Sequence, residues 1–595
     1  MALAACSNDV ETTPVTTTTT TTTGTGGTGG AGGGGGNASG KVDLLVVIDN
    51  SRGMADKHSV LAATLPELVG ALVNPRCLDA SGLPVAGQPA TAADPCPAQS
   101  TRELRPVTDL HIGVISSSIG GHGADTCSAV SQPTENDAAH LLDRADPSGS
   151  PTVPTYESLG FLAWDPAGAL TPPGETDAAA LVANLGAMVL GVGQVGCGFE
   201  AQLESWYRFL VDPDPYASIA VVNGTAELQG TDQALLDQRA AFLRPDSVVA
   251  IVMLSDENDC STRDGGQYFY ANQAQTPGSP SMFLLPRPRQ ECATDPTDPC
   301  CLSCGEDPGN CPADPTCGTL LYPIEDNINL RCFEQKRRFG IDFLWPIDRY
   351  TTGLTAAVVP DRAGNLVPNP LFAGGRSAGD VYLAGIVGVP WQDIARQTAG
   401  SQPDLLAGLD ADGHAVGGYQ SAAELSANGV WALVVGTPAT WVPAGDPLMR
   451  ESILPRNGTN PVTGDPLMPP GSGLLANPIN GHEYTITQQN DLQYACIYPL
   501  PTPRDCSSPS TICDCNDPNN NSPLCQAPNG QYGQTQYYAK GYPGRRELTL
   551  LSTLGNQAVV GSVCTAQLGN ATAPDYAYRP TVAALAEALR GSLAP

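Results

Sequence analysis

Positive charge is what this sequence has least of. Its 595 residues include 29 Lys and Arg against 60 Asp and Glu, a net charge of −31 and a pI near 4.3. Such a surface repels phosphate backbones and anionic lipid, which argues against nucleic acid and favours hydrated cations and basic partners. Its plainest reading is solubility of an exported chain. Charge of either sign is sparse, at 15% of residues against an average near 25%. Long apolar runs are also lacking, and none approaches the ~20 residues of a membrane-spanning helix. The HExxH and P-loop patterns do not occur, and the six histidines are scattered without metal or triad spacing. Neither a zinc-protease nor a nucleotide-binding motif therefore carries catalysis. No fixed-period repeat is present either.

Cysteine, by contrast, is plentiful. Of 19 cysteines, setting Cys6 aside leaves an even 18, which reads as a disulfide framework in an exported chain. Proximity favours Cys77 with Cys96, and pairs within the clusters at 292–332 and 496–525. Cys127 and Cys197 flank the same candidate site and are expected to bridge. Cys301-x-x-Cys304 with Cys311 and Cys317 also has the look of a zinc knuckle, but vicinal Cys300-Cys301 and the lack of a nearby histidine favour disulfides.

Leu3-Ala4-Ala5-Cys6 resembles a lipobox, the site where bacterial lipoproteins are cleaved and lipidated at cysteine. The charged and apolar parts of a signal peptide do not precede it, so translation is expected to start upstream. Thr16–Thr23 and Gly24–Gly36 follow, a composition that forms no core and acts as a flexible tether. The expectation is an exported lipoprotein of the outer membrane or cell surface, held to the membrane through a lipid anchor at Cys6.

Beyond the tether, Val42–Ile48 is a short β-rich apolar run, as expected of a strand buried on both faces of a parallel sheet. It ends at Asp49-Asn50-Ser51-Arg52-Gly53-Met54. Leu110–Ser116, Ser247–Leu254, Val381–Val389 and Gln557–Cys564 read as further strands, and 247–254 ends in Ser255-Asp256. Helical spacing marks His58–Leu72 (with Pro66 a candidate kink), Ala178–Leu190, Phe199–Leu210, Ile347–Leu354 and a helix opening at Pro580. Residues 125–173 read as mostly loop. Alternating strands and helices predict an α/β fold with a doubly wound, mostly parallel sheet.

Asp49-Asn50-Ser51 at a strand end, with Asp256 at another, resembles the von Willebrand factor A (VWA) domain and its metal-ion-dependent adhesion site. That resemblance implies a VWA/Rossmann-like sheet carrying large disulfide-rich irregular insertions. It divides the chain into a tether (1–40), a first part of the domain (41–260) and a cysteine-rich insertion (261–340). A continuation (341–400), a Pro/Cys-rich insertion (401–545) and a last strand and helix (546–595) follow.

The resemblance also implies Mg²⁺ or Ca²⁺ held by Asp49, Ser51 and Asp256, with a partner's carboxylate completing the shell. Two of the family's donors are missing. Gly53 stands where a serine is expected, and Gly193–Gly198 supplies no threonine. Three readings stay open: a metal site, a metal-free binding face, or carboxylates that cap helices and loop amides. Asp410-Ala-Asp412-Gly413 reads as a turn rather than a calcium loop, and Asp514, Asn516 and Asp517 as disulfide-braced turns or calcium donors. The function expected is a non-enzymatic adhesion protein binding a protein or extracellular-matrix partner. The alternatives are a secreted hydrolase in the inserted region, or a structural envelope lipoprotein without a discrete ligand.

Overall fold

The computed structural model describes residues 40–594, apart from 129, 131, 399–401, 407, 410–414, 475 and 509–510, and without the side chains of 408, 409, 415 and 416. Cys6, the tether and the Asp410–Gly413 turn lie outside the described residues. The frame is a six-stranded sheet of β1 (Lys41–Ile48), β2 (Asp109–Ser116), β3 (Phe161–Trp164), β4 (Val248–Leu254), β5 (Val381–Val387) and β6 (Ala558–Ser562). Its order is β6-β5-β4-β1-β2-β3. Every pairing is parallel except β2 with the edge strand β3, which is antiparallel.

Strand residues alternate between two cores. Val42, Leu44, Val46 and Ile48 face one, while Leu45 and Val47 face the other. The first is covered by α1 (Ala55–Val73), α2 (Ala178–Gly191) and α7 (Arg579–Leu589). The second is covered by α3 (Gln202–Leu210), α4 (Gln233–Phe242), α5 (Ile347–Thr355) and α6 (Arg545–Thr553). With both faces covered, β1 has no solvent side, which is why its sequence is a nearly unbroken apolar run. Asp43, the one charge within Val42–Ile48, is buried against Arg244, whose Nε donates to Asp43 Oδ1 at 2.8 Å.

The α/β class and mostly parallel sheet agree with expectation. The segment 125–173 is mostly loop as expected, and it also contains β3, Phe-Leu-Ala-Trp, too short for its pattern to show. The helix expected from His58 begins at Ala55 and runs through Pro66. That shift brings Lys57 into its first turn.

Nine disulfides join the 18 cysteines from Cys77 to Cys564. Cys77–Cys96 and Cys127–Cys197 pair as expected. Cys301 and Cys304, the start of the zinc-knuckle reading, both sit in disulfides. Two cluster members do not pair within their clusters. Cys332 joins Cys260 just past β4, and Cys496 joins Cys564 just past β6. The fold returns each insertion to a strand end that is remote in sequence, so proximity along the chain misassigns its boundary cysteine. Each insertion has a small core of its own, one around Leu285 and Phe339 and one around Tyr484, Tyr494 and Cys515.

Candidate functional site

The register Ile48↔Ser116 and Ile48↔Leu254 sets the ends of β2, β1 and β4 side by side. Asp49, Ser117 and Ser255-Asp256 therefore emerge together at the carboxyl edge of the sheet, where open α/β sheets bind ligands. All four are buried.

Asn50 ties the loops together. Its Oδ1 accepts from Ser118 Oγ at 2.7 Å, its Nδ2 donates to Thr134 O at 3.0 Å, and its carbonyl accepts from Gly196 N at 2.8 Å. Gly196 sits so close that a Cβ there would lie 2.2 Å from Asn50 Oδ1. The Cys127–Cys197 bridge holds the same loop from the other side.

Asp49 receives Ser51 N on Oδ1 and Ser255 Oγ on Oδ2, each at 2.7 Å. Burial and the neighbouring Asp256 carboxylate still push its pKa up to about 6. His58 donates from Nε2 to the Asp49 carbonyl at 2.8 Å, and burial pulls its pKa down to about 4, so it stays neutral. The Ser51 hydroxyl is buried beside this carboxylate without an aligned hydrogen-bond partner. Neither aspartate caps α1, whose N-cap position, Met54, has no side-chain hydrogen bond.

Lys57 is the residue that sequence reasoning missed. It is 0% exposed, and its Nζ lies 2.8 Å from Asp256 Oδ2 and 3.5 Å from Asp56 Oδ1. The same ammonium donates to Gly53 O at 3.0 Å. Burial alone would lower its pKa, but the Asp256 and Asp56 carboxylates raise it above the ordinary lysine value, so it is charged. Gly53 now has a conformational reason. Its φ is +101°, a region serine avoids, while a Cβ there would meet nothing closer than 3.9 Å. The expected hydroxyl is absent because the turn needs glycine to aim a carbonyl at the ammonium.

Above these loops lies a cleft of about 480 Å³. Ser51, Glu200 and Glu257 come from the strand-end loops, Leu330 and Phe333 from the cysteine-rich insertion, and Asp491 and Tyr542 from the second insertion's part of the chain. Both insertions thus meet over the carboxyl edge. Among the described residues no partner side chain reaches the Glu200 or Glu257 carboxylates. Burial, then mutual repulsion, raises Glu200 well above the usual carboxylate range. Burial with Asp256 and Asp49 nearby pushes Glu257 up to about 8, against the opposing pull of Lys540. Asp514, the calcium candidate, is instead engaged by Lys540 Nζ at 3.2 Å and Gln536 Nε2 at 2.9 Å. A second cleft, of about 450 Å³ beside Tyr382 and Ala558, lies at the opposite, amino end of β5 and β6.

Tested on these side chains, the face does not fit a divalent-cation shell. Gly53 offers no side-chain oxygen and the 193–198 loop no threonine. One oxygen of Asp256 is already paired with an ammonium. Among the described residues no three His, Cys, Asp or Glu side chains are grouped to hold a metal ion.

The signal for Lys57 was faint: a lysine four residues beyond Gly53, beneath a strand-end aspartate in a chain poor in basic residues. Glu200 had none, standing alone after Gly198-Phe199. Compared with models of known protein families, with curated proteins and with solved structures, the chain matches none.

Proposed function

We propose that this chain is an exported, surface-anchored binding protein that presents the carboxyl edge of a VWA-like sheet to a protein partner without using a divalent cation. The strand order β6-β5-β4-β1-β2-β3 with one antiparallel edge supports the VWA-like reading, since doubly wound sheets of this order bind ligands at the reversal point beside β1. The observation that carries the metal-free reading is the buried Lys57–Asp256 pair at 2.8 Å. An ammonium supplies the positive charge that the buried strand-end Asp256 requires. The insertions roof the cleft and set which partner enters.

The hydrolase reading calls for perturbed carboxyls facing a cleft in the inserted region. Asp393 and Asp446 have raised pKa values through burial, and Asn460 Nδ2 donates to both, at 2.8 and 3.0 Å. They are 2% and 0% exposed, so they act as an internal brace.

The test immobilises the full chain and passes fibrous matrix proteins over it, with Mg²⁺ and Ca²⁺ or with EDTA. Retention that EDTA leaves unchanged and Glu257→Lys abolishes is expected. Retention lost in EDTA would overturn the metal-free reading, and no retention in either buffer would overturn the binding reading.

A further inference from the structure

The carboxyl edge holds two sets of carboxylates, and only one has its cation. Asp256 and Asp56 share the Lys57 ammonium. Glu200 has no counterpart, and Glu257 has only the pull of Lys540, whose ammonium is bonded to Asp514. Glu200 is 5% exposed and lines the cleft with no ion pair or hydrogen bond to its carboxylate from another described residue. Two carboxyl groups lining the same cleft cannot both ionise readily unless a cation enters between them.

A separate observation points the same way. Ser51 Oγ, on the cleft wall and 3% exposed, has no aligned hydrogen-bond partner. A buried hydroxyl without a partner is uncommon in folded proteins, and an entering N–H group would satisfy it. Phe199 and Phe333 add aromatic wall to the same cleft, surfaces that suit the apolar stem and face of a basic side chain. The volume, about 480 Å³, suits a side chain rather than a bare ion. The net charge of −31 draws basic partners from a distance.

We infer that the cleft walled by Ser51, Glu200 and Glu257 is a seat for a guanidinium or ammonium side chain presented by a protein partner. This rests on the metal-free binding reading and inverts the ligand charge that a metal-centred face would select. A metal-centred face takes a carboxylate, whereas this one takes a base. Arginine suits it best, because its planar fork can meet two carboxylates at once.

The experiment titrates the full chain, at low salt where such contacts are least screened, with Nα-acetyl-arginine amide, Nα-acetyl-lysine amide, Nα-acetyl-glutamine amide and MgCl₂ separately. Binding is followed by calorimetry. Saturable binding of the arginine and lysine probes, none of the glutamine probe, and weakening of about tenfold or more in Glu200→Gln and Glu257→Gln are expected. Glu257 is partly exposed, so Glu257→Gln carries the test by itself if Glu200→Gln fails to fold. Arginine bound equally by wild type and Glu257→Gln overturns the inference. No binding of any probe overturns it while leaving the metal-free reading intact. Saturable Mg²⁺ binding that excludes the arginine probe overturns both.

Discussion

Replacing Lys57 by methionine isolates the internal cation, since methionine keeps most of the stem volume and removes only the charge. The ammonium is fully buried, 2.8 Å from Asp256 Oδ2, 3.0 Å from Gly53 O and 3.5 Å from Asp56 Oδ1. Its removal strands a buried carboxylate, which costs about 3–5 kcal/mol. That is a large part of the roughly 5–15 kcal/mol that keeps a domain folded. The loss is pH-dependent with a definite sign. A buried carboxylate without its cation is disfavoured only in its ionised form, so the variant's deficit grows as pH rises. Guanidinium denaturation with disulfides intact, followed by near-UV circular dichroism at pH 4 and pH 7, measures both effects. A second substitution, Asp256→Asn, should restore part of the loss, giving a coupling energy of about 1–3 kcal/mol in the double-mutant cycle. A deficit below about 1 kcal/mol, the range of exposed ion pairs, or one equal at the two pH values, refutes the reasoning.

Glu547 lies buried in α6 with Gln202 Nε2 donating to Oε1 at 2.5 Å, and burial, then Asp259, pushes its pKa from 4.5 to about 8. The unfolded chain loses this proton first, so Glu547 costs stability as pH rises from 4.5 towards 8. Glu547→Gln should therefore gain on wild type across that interval, by up to about 5 kcal/mol, and a difference that stays flat in urea titrations speaks against it. Gly196→Ala forces a Cβ to within 2.2 Å of Asn50 Oδ1. It should cost about 1–3 kcal/mol, and calorimetric melting unchanged from wild type would show that the Asn50 clasp is loose.

The parallel strands were legible because burial on both faces leaves β1, β4 and β5 as apolar runs that few other structures produce. Strand β3 was hidden because four residues among Gly- and Pro-rich loops carry no period. Asp49 and Asp256 could be paired from sequence, since both end apolar runs and parallel strands align their ends. Lys57 could not be, because its meaning lies in a contact between the first turn of α1 and a strand end far along the chain. The same holds for Cys332 and Cys496, whose partners are set by the sheet order rather than by spacing. Gly53 read as a lost ligand, and its backbone angle shows a turn shaped around an ammonium.

The most direct measurement is a calorimetric titration of Mg²⁺ and Ca²⁺ into EDTA-treated wild type and Lys57→Met. With the ammonium in place, wild type is expected to give no saturable heat with either cation, and Lys57→Met to gain a weak site at the vacated position. Stoichiometric, EDTA-reversible binding by wild type would contradict the claim that Lys57 serves as the cation of this face.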